Sequence, residues 1–156
     1  YDEFGLSKDI PLVSSGFAVE EDVLPAQGSA ALGAISGLHW ALLLDNETNR
    51  KFITAYKDRT NVDANVFAVQ GYDTGRIISN ILDEVQGDTS ATSKMLESLH
   101  DVSFSSPRGP FKLDPKSQNP TQHVYVREVK EIEGKLHNVV IEDLGEFTDP
   151  GDNSLG

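Results

Sequence analysis

An α/β fold, with a parallel sheet flanked by helices, is predicted by three features of the sequence. Short apolar segments bounded by Gly, Ser and Pro alternate with helical periodicities through the first hundred residues. After His100 the helical spacing gives way to a run of alternating strand-like segments. The composition, 38% hydrophobic and 24% charged over 156 residues, belongs to an ordinary globular domain or to pieces of two, neither disordered nor membrane-spanning. No apolar run approaches the roughly 20 residues that cross a bilayer.

Along the chain, Tyr1 to Leu6 reads as the last turn of a helix closed by Gly5, from which a longer polypeptide is expected. A strand follows over Ile10 to Ser14, with Pro11 tolerated only at its start. Glu20 to Ala26 is expected to be a short helix, its acids in the first turn where the helix dipole favours them, ended by Gly28. Ala31 to Trp40 reads as a buried strand running into a loop. Asp45 or Asn46 caps a helix to about Arg59, with Phe52, Ile53 and Tyr56 on one face. The longest helical signal covers Asn65 to Val85, where Ile77, Ile78, Ile81, Leu82 and Val85 form a stripe. Thr89 or Ser90 caps another helix, with Met95, Leu96 and Leu99 turned inward. Strands are then expected over Val102–Phe104, Pro110–Leu113, Gln122–Lys130 and Lys135–Asp143, the last two joined by a turn at Glu133-Gly134. In the third of these, Val124, Val126 and Val129 alternate with polar or amphipathic residues. The polar tail from Thr148 to Gly156 reads as loose. The two early strands pair in parallel but cannot make a stable sheet alone, so further strands are expected from residues before Tyr1 or from another chain.

Charge and motif content exclude several classes of function. With 13 Lys+Arg against 25 Asp+Glu the net charge is −12, which argues against a nucleic-acid surface. There are no cysteines, so thiolate metal sites and cysteine nucleophiles are absent. The four histidines show no pairing at helical spacing and no metalloprotease pattern. Ser14-Ser15-Gly16 lacks the strained elbow of serine hydrolases. Gly28 to Gly33 has no Lys for a phosphate cradle and marks a helix end and strand entry. Glu20-Glu21-Asp22 is explained by capping, and Asp114 to Pro120 by an exposed hairpin loop that fails calcium-loop spacing. No catalytic set, metal or cofactor is expected. Open α/β sheets bind ligands beyond the carboxyl ends of their strands. Those ends are Ser14, Ser15, Gly16 and Phe17 after the first strand and His39 and Trp40 after the second. Hydroxyls, free amides and aromatic walls suit a small organic acid or amino acid.

The runs Phe104-Ser-Ser-Pro-Arg-Gly-Pro-Phe-Lys-Leu-Asp-Pro115, Gln122-His-Val-Tyr-Val-Arg-Glu-Val129 and Gly134-Lys-Leu resemble the C-terminal part of type I periplasmic substrate-binding proteins of ABC transporters. The similarity is greatest to the branched-chain amino-acid and aromatic-acid receptors. Ile10-Pro-Leu-Val, Asp22-Val-Leu-Pro-Ala-Gln-Gly, Asn46 to Tyr56 and Gly71-Tyr-Asp fit the same family in the same order. The resemblance implies two α/β lobes closing on a ligand, with residues 1–64 in the second lobe, 65–147 supplying first-lobe helices and hinge-crossing strands, and 148–156 a flexible tail. It implies a periplasmic receptor, lipid-anchored in a Gram-positive cell, that delivers a small organic acid or amino acid to a permease. A swapped or crystal dimer that completes the sheet is a further implied partner. The family's acid for a ligand ammonium falls near Ser15-Gly16, where this sequence has none, which favours an aromatic or uncharged carboxylate over an α-amino acid. A cytoplasmic ligand-sensing regulator on the same fold is the alternative.

Overall fold

The computed structural model describes residues 1–149, so the tail expected over 148–156 lies almost wholly outside the described residues. In chain order the elements are β1 (Val13–Ser15), α1 (Leu24–Gln27), β2 (Ile35–Leu38), α2 (Glu47–Thr60), α3 (Val66–Glu84), α4 (Thr92–Ser98), β3 (Ser103–Ser106), β4 (Gly109–Leu113), β5 (Pro120–Ile132) and β6 (Lys135–Phe147), with short 3-10 turns between several of them. This is the expected α/β architecture.

The six strands form one sheet in the order β1-β2-β5-β4-β3, with β6 on the other edge of β5. β1 and β2 pair in parallel, Val13 opposite Ile35 and Ser15 opposite Gly37. The strand that completes this pair is β5, antiparallel to β2 over Tyr125–Glu128 and to β4 over Pro120–Gln122. The expectation that every further strand comes from outside the chain is corrected at β2 alone, where β5 folds back beside it. Among the described residues β1 keeps an unpaired outer edge, with Val13 exposed. β5 and β6 make a long hairpin whose turn places Glu133 and Gly134 at φ 51 and 77, the left-handed pair that a two-residue hairpin turn demands.

Local differences from the sequence reading have physical causes. The first strand is shorter and shifted to Val13–Ser15, and β2 occupies only four residues of the expected Ala31–Trp40, preceded by a 3-10 turn over Gly28–Ala31. α1 begins at Leu24 rather than Glu20 because the Glu20 and Glu21 carboxylates bond elsewhere in the tertiary structure instead of capping it. α4 starts at Thr92, after a turn in which Asp88 accepts from the Ser90 amide and hydroxyl, and its Leu96 is exposed. Along α3 the buried positions are Val66, Val69, Asp73 and Ile81, while Ile78 faces outward. In β5 the buried side chains are Thr121, Tyr125, Arg127 and Val129, so Arg127 lies on the inner face and Val124 and Val126 are only half-buried.

Three apolar clusters hold these elements. One joins Leu38, Trp40 and Leu42 to Phe52 of α2 and Val66 and Val69 of α3. A second packs Val19, Leu24, Ala31 and Ala34 on Val129 of β5. The third sets Val102, Phe111 and Leu113 against Ile77 of α3. α3 joins the first and third clusters, β5 carries the second, and together they position the loops at the ends of β1 and β2.

Candidate functional site

Because β1 and β2 run parallel, the segments that leave them emerge on the same side of the sheet. The first is Gly16 to Val19, a 3-10 turn; the second is His39 to Leu42. Gly16 is buried where no side chain fits: a Cβ there would stand 2.6 Å from the Gly37 carbonyl oxygen and 2.9 Å from Arg127 Nη2. This close approach lets one guanidinium gather both segments. Arg127 Nη2 donates to the Gly16 carbonyl at 2.9 Å and to Ser36 Oγ at 3.3 Å, and Nη1 donates to the Trp40 carbonyl at 2.9 Å. Nη1 also meets Glu20 Oε2 at 3.1 Å, in an ion pair with no exposed surface on the Arg side. Glu20 Oε1 in turn accepts from the Val66 amide at the first turn of α3. Burial pushes the Glu20 carboxyl above its ordinary range and the Arg127 pairing pulls it back. A pair so placed is costly to desolvate and is recovered only through this complete set of bonds.

The sequence-predicted residues divide between two environments. Ser14 is half-buried with its hydroxyl on the Ser15 carbonyl, and Ser15 is exposed. Phe17 is exposed and stacks on Phe67 at the start of α3, ring centroids 5.9 Å apart with planes at 28°. Phe67 was not among the residues picked out from the sequence; its signal is an apolar residue just after the Asn65 cap that breaks the buried Val66–Val69 pattern. Trp40 is closed inside the first cluster, its Nε1 donating to Asn49 Oδ1 at 2.8 Å, so it supports the loop from behind and presents no surface to a ligand.

His39 lies apart from Trp40, on the wall of a cleft of about 440 Å³ that it shares with Gln70, Asp73 and Thr74 of α3, Arg108 and Gln122. Asp73 and Arg108 form the second buried ion pair, Nε to Oδ2 at 2.7 Å, with the Ser106 hydroxyl donating to the same oxygen at 2.9 Å. Arg108 Nη1 reaches Gln122 Oε1, and the Tyr125 hydroxyl donates to the Arg108 carbonyl. Burial, with Arg108 and Arg127 nearby, pushes the His39 imidazole down to about 3, so it is neutral. Phe67, Gln70 and Thr74 stand three and four residues apart on α3, hence on one face. The aromatic pair and the cleft therefore adjoin along that helix. Gly71 adds openness, since a Cβ there would meet nothing within 4 Å.

A family profile described as periplasmic binding protein matches residues 1–135. The chain is 34% identical over 148 residues to Leu/Ile/Val-binding protein homolog 6 of Brucella abortus, covering 93% of this chain and 38% of that protein. A solved ABC transporter substrate-binding protein from Sphaerobacter thermophilus superposes with a TM-score of 0.91 at 32% identity, over 96% of this chain and 41% of that one. A solute-binding protein of an ABC transporter from Rhodopseudomonas palustris, solved with 4-hydroxybenzoate, gives 0.90 at 30% identity, over 98% and 42%. The chain thus spans about two-fifths of the length of each of these relatives.

Proposed function

The chain belongs to the periplasmic binding protein family, and from that premise we propose that it is part of an extracytoplasmic solute-binding receptor that captures a small aromatic carboxylate and passes it to the permease of an ABC importer. The observation that carries the ligand class is the exposed Phe17–Phe67 stack beside the Ser14–Gly16 segment. Two rings held near-parallel and open to water supply an apolar wall, while hydroxyls and main-chain amides beside them suit a carboxylate. An α-amino acid would also need an anion for its ammonium. The two acids that follow the segment are already engaged: Glu20 by Arg127, and Glu21 by the Asn138 amide and His137. The 4-hydroxybenzoate-bound relative supports the same class.

In this reading residues 1–64 belong to one lobe, and 65–147 contribute helices of the other together with strands that cross between them. Ligand is held by Ser14, Ser15, Gly16, Phe17, Phe67 and His39, with Trp40 as their backing. The relatives described above are binding proteins, the two solved ones of ABC transporters, which favours a receptor over an enzyme or the cytoplasmic sensor alternative. Titration calorimetry on the full-length protein with benzoate, 4-hydroxybenzoate and leucine tests it. Saturable heat with an aromatic acid is expected, reduced about tenfold in affinity by Phe67→Ala, the loss of one aromatic anchor. Saturable binding of leucine alone would overturn the aromatic assignment.

A further inference from the structure

We propose that the inner end of the cleft is a recognition pole for a hydrogen-bond donor on the ligand, formed by His39 and Asp73, so that hydroxylated aromatic carboxylates are taken in preference to unsubstituted ones. This deepens, and rests on, the aromatic-acid reading above. Two side-chain atoms carry it. His39 Nε2 and Asp73 Oδ1 are both buried, both belong to residues on the wall of the same cleft, and neither has a hydrogen-bond partner within the protein. Asp73 is 2% exposed. A buried polar atom left unpaired costs free energy that a bound partner group restores.

The chemistry of the two atoms specifies the partner. Asp73 uses its other oxygen for Arg108 and the Ser106 hydroxyl, both donors, which leaves Oδ1 as an acceptor. The His39 imidazole is uncharged and at Nε2 either accepts or donates, according to tautomer. A hydroxyl both donates and accepts, and so is the group that can pair with either atom. A carboxylate offers no proton to Oδ1 and meets an anion, so the ligand's acid group belongs at the other end, toward Ser14, Ser15 and Gly16. The ends are one side chain apart: Arg127 bonds the Gly16 carbonyl and the carbonyl of Trp40, the neighbour of His39, while Arg108 lies close enough to depress the imidazole. Between them runs the α3 face carrying Phe67, Gln70 and Thr74, which suits a flat ring with opposed polar substituents.

The test compares benzoate with 4-hydroxybenzoate on the full-length protein by calorimetry. The expected result is about tenfold or greater preference for the hydroxylated acid, since a site with unpaired polar groups discriminates against the analogue that lacks their partner. His39→Leu and Asp73→Asn should each bring that preference below about threefold. Asp73→Asn also disturbs the Arg108 pair, so His39→Leu is the variant that decides if the other fails to fold. As a second readout, the His39 ¹⁵Nε2 resonance should move with 4-hydroxybenzoate and not with benzoate. Equal affinity for the two acids, or a preference untouched in His39→Leu, overturns the recognition pole and leaves the receptor standing. Absence of binding to either acid overturns the reading on which it rests, and the pole with it.

Discussion

Arg127 and His39 are both largely taken out of water, yet they solve the problem differently. Arg127 keeps its charge and finds Glu20, two carbonyls and a hydroxyl; His39 gives up its charge, with its pKa near 3 in the fold against 6.5 for the free side chain. That difference has a pH consequence. Below 6.5 the unfolded chain binds a proton at His39 that the folded chain refuses until the pH nears 3, so acidification favours unfolding across that interval. Glu20 and Asp73, whose carboxyls burial raises, act in the opposite sense, favouring the fold as pH falls toward their ordinary range. The His39 contribution is therefore isolated by difference. Wild type should lose about 2 kcal/mol of unfolding free energy between pH 6.5 and 5 relative to His39→Leu, measured by urea denaturation at each pH. Parallel pH profiles for the two proteins would show that His39 does not titrate as its surroundings dictate. Neither residue could be read in full from the sequence. His39 was placed by its position after a strand, but its desolvation comes from Arg108 and Arg127, far along the chain. Arg127 looked like the polar member of an alternating strand because its partner Glu20 is 107 positions away.

The two long helices, α2 and α3, owe their starts to asparagines, and the two caps are not equivalent. Asn46 Oδ1 accepts from the Asn49 amide at 2.7 Å while its Nδ2 donates to the carbonyl of Pro107 at 2.9 Å, tying α2 to the turn between β3 and β4. Asn65 Oδ1 accepts from the Ala68 amide at 3.0 Å, but its Nδ2 reaches only exposed Asp22. Asn65→Ala should cost about 1 kcal/mol, the usual value for a lost cap, and Asn46→Ala about 2 kcal/mol because a tertiary hydrogen bond goes as well. Chemical denaturation of both variants measures the order, and a smaller loss at Asn46 would sink the argument. The cap of α2 at Asp45 or Asn46, the two long helices and the Glu133-Gly134 hairpin are legible because their causes are local in sequence. The limits of β1, α1 and β2 are not. Their lengths are set by where β5 pairs and where Glu20 and Glu21 find partners, and such contacts leave no periodicity to read. The same holds for the cleft, whose walls come from α3, β4, β5 and the segment after β2.

An excess of 12 negative charges is spread over a chain whose cations are largely committed. Arg108 and Arg127 are buried in pairs, and Lys51, Lys57 and Lys112 meet Glu47, Asp63 and Glu146 on the surface. Most of the other described acids are exposed. Two consequences of added salt then compete. Screening weakens the exposed pairs, each worth between nothing and about 1 kcal/mol. It also weakens the long-range repulsion of the uncompensated acids, which destabilises any compact state of high net charge. The buried pairs are little affected, since ions do not reach them. Close pairs of opposite charge lie well inside a Debye length of about 10 Å at 0.1 M salt, whereas the repulsive terms act at and beyond that distance and are screened first. Repulsion is therefore the larger loss. Raising sodium chloride from about 0.02 to about 0.3 M, where screening dominates over specific salt effects, should lift the thermal unfolding midpoint by a few degrees. Differential scanning calorimetry across that range at neutral pH reads it directly. A midpoint that falls with salt would mean that the surface ion pairs, and not the net charge, govern the electrostatic part of the stability.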